Sequence, residues 1–169
     1  QNKKYWYCSI ITMIIIIIFL FIYVCTTVIR SYNEAIVFAN NSQYIEAYKK
    51  IDYVHRIFPN YKDTNALFEK YTFFFNFAMG TDSKLDDKER ELYLKKALSL
   101  SNSKENKEMI STINGYIYDI WYRKAINMAN YDFQTGKLSY AMKHLNEAEI
   151  YLNQSEEKLI LLKKSDSAF

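Results

Sequence analysis

YWYCSIITMIIIIIFLFIYVCTTVI, residues Tyr5 to Ile29, runs for twenty-five residues without a charge, and Ile14 to Ile18 form an unbroken isoleucine tract. At about 1.5 Å per residue a helix of this length spans roughly 37 Å, enough to cross a hydrocarbon core of about 30 Å. Isoleucine also favours strands, but strands in globular proteins run about 5 to 6 residues, and this stretch is several times longer. Length therefore decides for a membrane-spanning helix. Tyr5, Trp6 and Tyr7 at one end and Tyr23 near the other occupy the positions of interfacial aromatics, and Lys3, Lys4 and Arg30 bracket the span.

A cleaved secretory signal is the competing reading. Its apolar core is about 7 to 15 residues long and ends in small residues, whereas Val28, Ile29 and Arg30 offer no such site. A lipoprotein signal at Cys25 fails because bulky Val24 stands where a small residue is needed. Lys3 and Lys4 before the span, against Arg30 offset by Glu34 after it, predict a cytoplasmic N-terminus with the rest of the chain on the opposite face.

Residues 30 to 163 are long enough for one domain with a real core, and residues 164 to 169 read as a C-terminal tail. Of 22 basic residues, Lys3 and Lys4 precede the span, so 20 face all 19 acidic ones in the remainder. That near-neutral balance, with no basic stripe, argues against nucleic acid as a partner. Both cysteines, Cys8 and Cys25, lie in the span. Seventeen residues of helix hold them roughly 26 Å apart, too far to pair. Cys8 reads as a small apolar residue in lipid, with acylation beside the basic flank as the alternative.

Three glycines and one proline leave little punctuation for turns, and everything after the span has helical periodicity. The pattern predicts an all-α chain with helices near 30 to 41, 43 to 58, 63 to 79, 85 to 101, 104 to 134 and 137 to 163. The first continues the span without interruption. Asn40, Asn41 and Ser42 supply a stop and an N-cap, Pro59 follows the end of the second helix, Gly80 closes the third, Ser103 with Glu105 starts the fifth, and Gly136 separates the last two. Short connections make successive helices antiparallel neighbours. The helix holding Leu67, Tyr71, Phe73, Phe74, Phe75 and Phe77 is apolar nearly all round and belongs in the middle. The next, with Leu92, Leu94, Ala97, Leu98 and Leu100 on a face and Asp86, Lys88, Glu89, Lys95 and Lys96 elsewhere, reads as an outer helix.

Catalytic chemistry finds little support. His55 and His144 are the only histidines, read as helix-surface residues on different helices with no cysteine outside the span to join them in a metal site. Gly80, Gly115 and Gly136 are isolated, so no glycine-rich phosphate loop exists. Asp86 with Asp87, and Glu156 with Glu157, are sequence neighbours that point to different sides of a helix and read as solvated charge. The sequence therefore predicts no catalytic residue, no metal and no cofactor. Sixteen tyrosines and eleven phenylalanines are spaced as packing residues.

Tyr44, Ile45, Glu46, Ala47, Tyr48, Ile51, Val54 and Pro59 resemble the second helix of a tetratricopeptide repeat: an aromatic, a small residue three later, apolar residues at helical intervals and a terminal proline. Gly136, Lys137, Leu138, Ser139, Tyr140, Ala141, Leu145 and Ala148 resemble the same helix with the glycine before it, and Leu94, Ala97, Leu98 and Asn102 give a fainter copy between them. Aligned on Val54, Ala97 and Ala148 the copies are 43 and 51 residues apart, wider than the roughly 34 of a regular array, and Arg90 stands where a small residue is usual. The resemblance implies an antiparallel helical-hairpin solenoid, a divergent tetratricopeptide-like domain over residues 30 to 163. A plain helical bundle has the same periodicity.

In that family the inner faces of the first helices form a groove for peptides or partner helices. The resemblance implies a groove here of Lys70 and Phe74 in the middle copy and Arg123, Ile126, Asn127 and Asn130 in the last, with Tyr32, Asn33 and Ile36 at the first-copy positions. The expected function is a non-enzymatic adaptor or scaffold that binds a protein partner at a membrane, touching lipid through residues 5 to 29. An accessory subunit of a large membrane complex is the alternative.

Overall fold

The computed structural model describes residues 2–101 and 107–166, all of whose regular structure is helical. Six helices follow in order: α1 Asn2–Asn40, α2 Tyr44–Ile57, α3 Thr64–Thr81, α4 Asp87–Leu100, α5 Lys107–Gln134 and α6 Leu138–Asp166. Span and first soluble helix are indeed one unbroken α1, and the other helices lie within a few residues of their sequence-predicted bounds. The side chains of Lys3, Lys4, Tyr5, Cys8, Glu156 and Glu157, and the helix start expected at Ser103 and Glu105, lie outside the described residues. So does the end of the expected tail, whose first residues continue α6.

The chain forms two compact units, Gln1–Thr72 and Phe73–Phe169. In the first, α2 folds back along the C-terminal half of α1. The turn is a helix C-cap closed by backbone alone: Ser42 takes a left-handed φ of 57°, Ser42 N donates to Ala39 O at 3.0 Å and Gln43 N to Phe38 O at 2.9 Å. This pair of bonds satisfies carbonyls that the end of α1 leaves open. Ser42 thus ends α1 and does not cap α2, whose N-cap is Gln43 with no side-chain cap bond.

From Val24 onward α1 presents Val28, Tyr32 and Ala35 to Ala47, Ile51 and Val54 of α2 and to Tyr71 of α3, and these form the core of the first unit. Each fully buried aliphatic side chain contributes on the order of 1.5 to 3 kcal/mol. Ile10 to Tyr23, by contrast, are open on every side, with Phe19, Ile16 and Leu20 more than half exposed. One helix near the N-terminus is therefore long and apolar enough to cross a membrane, and among the described residues none covers its Ile10 to Tyr23 stretch.

The second unit is built on α5. Ile113, Ile117 and Ile120 pack with Phe73 of α3 and with Leu94 and Ala97 of α4, and α6 returns along α5, burying Ala141 and Ala148. The α5–α6 turn follows a sequence signal that holds: Gly136 has φ 75°, its N–H donates to Phe133 O at 3.1 Å and Lys137 N to Asp132 O at 2.8 Å, the paired bonds of a glycine-terminated helix. Gly80 has a different job from the stop expected of it. It lies inside the last turn of α3, where an added Cβ would sit 2.5 Å from Leu94 Cγ, so it exists to let Leu94 approach. Aspartate 86 caps α4, accepting from Glu89 N at 2.8 Å while Glu89 reaches back to Asp86 N, a reciprocal capping box. Leu94 and Ala97 are buried as the outer-helix pattern requires, but Leu92 and Leu100 are exposed.

Candidate functional site

The six residues of the expected groove divide between the units. Lys70 is an exposed residue of the first. Phe74 is half-buried in the second, packed on its core and edge-to-face with Phe73 at 5.2 Å between centroids. Ile126 is half-buried, and Asn127 and Asn130 are exposed on the same stretch of α5.

Arg123 is committed to a structural brace. Its Nη2 donates to Asp87 Oδ1 at 2.8 Å and its Nε to Asp87 Oδ2 at 3.2 Å, a two-pronged grip from α5 to the first turn of α4, while Nη1 pairs with Asp119. Paired guanidinium and carboxylate geometry of this kind is stronger and more directional than a single contact. The Arg123 hydrogen bonds hold the Asp87 carboxyl below the usual carboxylate range, and the same bonds raise Arg123. One turn on, Glu91 accepts from Trp121 Nε1 at 2.9 Å and Lys95 Nζ at 2.7 Å and pairs with Lys124. Burial pushes the Glu91 carboxyl up, but the hydrogen bonds of Lys124, Lys95 and Trp121 outweigh it and bring it down to about 2. Arg90, the side chain out of place in the repeat pattern, donates from Nε to Gly80 O at 3.2 Å and so satisfies a carbonyl at the end of α3. Asp86 and Asp87 are accordingly a cap and a brace, not solvated charge.

A surface feature that sequence reasoning missed lies where α5 turns into α6. Met128, Tyr131 and Phe133 on α5 and Leu138, Tyr140, Met142 and Leu145 on α6 are all exposed, Phe133 to 68%. An open depression of about 620 Å³ is lined by Asn127, Met128, Tyr131 and Asp132 from α5 and by Lys137, Tyr140 and His144 from α6 and its approach. His144, expected to be an ordinary surface residue, forms its floor: Nε2 lies 3.4 Å from Asp132 Oδ2 and Nδ1 3.0 Å from Glu147 Oε2. His55, in the first unit, stacks flat on Phe68 at 4.1 Å. Among the described residues no three His, Cys, Asp or Glu side chains gather as a metal would require.

The concentration of Tyr, Phe, Met and Leu on both sides of Gly136 was visible in the sequence. Periodicity records such residues as a face; whether a neighbour covers that face depends on the fold. Comparison with protein-family models, with curated proteins and with solved structures gives no match for this chain.

Proposed function

We propose that the chain is a membrane-tethered, non-enzymatic adaptor: α1 holds it in a bilayer, and the helical region behind it binds a protein partner there. The observation that carries this reading is the bare stripe of α6. Leu138, Met142, Leu145 and Leu152 recur at intervals of four, three and seven residues along one side of the helix, and all four are exposed. Exposed apolar surface of this kind, which here runs from Leu138 to Leu145 and resumes at Leu152 beyond the exposed Glu149, marks interaction sites on monomeric proteins, because covering it releases about 25 cal/mol per Å².

The tetratricopeptide-like reading supplies a reason for the stripe. Ala47, Ala97, Ala141 and Ala148, the small residues behind the resemblance, are all buried, and α1 with α2 and α5 with α6 are close-packed antiparallel pairs. A stack of such pairs ends in a face that accepts one more helix. On this reading α6 offers that face, Asn127 and Asn130 flank it on α5, and Lys70 and Phe74 belong to an earlier copy. A photo-crosslinking side chain at Met142 or Leu145 should capture one defined protein in native membranes, and the same group at Lys88 on α4 should not. Equal labelling from both positions would remove the stripe from the mechanism.

A second reading, accessory subunit of a larger membrane complex, draws support from α1. Thr26, Ile29, Asn33, Val37 and Phe38, with Arg30 and Glu34, line an open depression of about 560 Å³ continuous with the span. Extraction in mild detergent separates the two: an adaptor leaves its partner as a monomer, whereas a subunit migrates only with a stoichiometric complex. For orientation, Lys3 and Lys4 favour a cytoplasmic N-terminus. Protease added outside sealed cells should then digest residues 30 to 169, and full protection reverses the topology.

A further inference from the structure

The connection between α2 and α3 lies at the height where α1 leaves the apolar stretch. Counting equal rises away from the Asn41–Gln43 turn along two antiparallel helices, Ile57 and Phe58 come level with roughly residues 26 to 28 of α1. That height is also where α1 changes character. Below it, from Ile10 to Tyr23, the helix is exposed on every side; above it Val28, Tyr32 and Ala35 are buried. Trp6 and Tyr23, aromatics suited to the two interfaces, are separated by about 26 Å of helix, close to a hydrocarbon thickness. Thr26 and Thr27 donate their hydroxyls to Tyr23 O at 2.9 and 2.8 Å, so neither brings an unpaired polar group to the boundary.

At that level the connection displays apolar side chains and cations together. Ile57 and Phe58 are 38% and 37% exposed on large hydrophobic side chains at the end of α2. Phe58 closes the helix with its N–H on Val54 O at 2.8 Å, and Tyr61 N returns to Phe58 O at 3.0 Å, so the turn is a fixed shape. It is fastened to α1: Tyr61 meets the Tyr32 ring edge-on at 5.2 Å, the Tyr32 hydroxyl donates to Asp63, and Lys62 Nζ stands 4.6 Å from the Tyr32 ring centre. Arg56, near the end of α2, and Arg30, near the same height on the outward side of α1, are 72% and 81% exposed along their side chains, each paired with a carboxylate one turn away on its own helix, Asp52 and Glu34.

The geometry points to a second membrane contact: the Ile57–Lys62 turn rests on the phospholipid leaflet that α1 leaves, with Ile57 and Phe58 dipping among the acyl boundaries and Arg30, Arg56 and Lys62 at headgroup height. The inference depends on reading α1 as the anchor. Lipid is the occupant because the turn continues the apolar surface of the span at the depth of its exit, and because the exposed side chains of Arg30 and Arg56, though each paired with a carboxylate of its own helix, and of Lys62 are long enough to reach headgroup phosphates. Two attachment points fix both depth and rotation, which one helix alone does not.

The test uses the full chain in phospholipid vesicles, with Cys8 and Cys25 replaced by serine and one dye-labelled cysteine placed at Ile15, Ile57, Asn60 or Asn41, the last an exposed residue at the opposite end of the α1–α2 hairpin. Lipids carry a quencher either deep in the chains or at the headgroup. The expected result is loss of emission at Ile15 with the deep quencher, loss at Ile57 and Asn60 with the headgroup quencher, and no loss at Asn41. Quenching at Ile15 without quenching at Ile57 and Asn60 overturns the contact while leaving the anchor intact, and makes a second protein the cover of this turn. Absence of quenching at Ile15 removes the anchor itself, and the contact with it.

Discussion

Apolar surface is exposed in both units, but in different patterns. On α1 it surrounds the helix completely from Ile10 to Tyr23, whereas on α6 its main part is a stripe of Leu138, Met142, Leu145 and Leu152 that runs directly beside the face burying Ala141 and Ala148. A surface bare on all sides can be satisfied only by a continuous apolar medium, because no single partner wraps a helix; a stripe needs one neighbouring element. On the proposed function, the same residue types meet lipid in one region and a protein partner in the other.

The comparison breaks first if the span tolerates charge. Ile15→Arg combined with Ile18→Arg should oppose insertion by roughly 5 to 7 kcal/mol, at about 2.5 to 3.5 kcal/mol per central arginine, and move the protein from the carbonate-resistant membrane fraction to the soluble one. Retention in the membrane would make α1 a covered helix. Next, the second unit should behave as a packed core. Phe73 is 5% exposed, so Phe73→Ala should lower the stability of the detergent-solubilised chain by about 3 to 5 kcal/mol; an unchanged denaturation midpoint would mean the α3–α4–α5 contacts hold nothing together. Gly80→Ala probes the same core from the opposite direction. Its new methyl meets Leu94 Cγ at 2.5 Å, and the overpacking should cost about 1 to 3 kcal/mol.

A smaller effect follows from acid. Glu91 sits at about 2 in the folded chain against its usual 4.5, so its stabilisation is complete above about pH 5 and disappears as the pH falls through 4.5 toward 2. Asp87 is lowered in the same sense. Thermal unfolding across this window should lose stability on acidification, and Glu91→Gln should flatten part of that slope; an identical slope in the variant would assign it to other carboxylates. Smallest of all is the expected effect of Met142→Lys with Leu145→Lys on folding. Exposed substitutions usually fall within about 0.5 kcal/mol, yet this pair should abolish crosslinking at the stripe. A large fall in stability would show that the stripe is core.

Much of this architecture was legible because it is local. The uncharged run marks α1, helical periodicity and the scarcity of glycine and proline mark the rest, and Gly136 and Pro59 punctuate as their backbone chemistry demands. Less legible was whatever joins residues far apart in sequence. Asp87 and Arg123 are 36 positions apart, so nothing local distinguishes this brace from two surface charges, and Arg123 was instead expected in a groove. Gly80 looked like a helix stop because its real partner, Leu94, is on another helix. Ser42 resembled an N-cap because serine commonly is one, whereas here the backbone bonds of Ser42 and Gln43 close the end of α1 and leave the side chain idle. The exposed end of the α5–α6 hairpin belongs to the same class: spacing identifies an apolar face, and only the fold reveals that none of the described residues covers it.

One property of α1 reaches beyond anchoring. The helix passes from Ile29 to Asn40 without a break, and neither glycine nor proline lies there to serve as a hinge. These last eleven residues project about 16 Å past the span, and α2 is clamped along them. Whatever angle the span adopts is handed on to the hairpin as by a stiff lever. Single spans lean by about 20° on average, and lean further when the bilayer is thinner than the apolar stretch; at that angle the Asn40 end is carried sideways by roughly 5 to 6 Å. With α1 as the proposed anchor, bilayer thickness would thereby be converted into the aim of the hairpin above it.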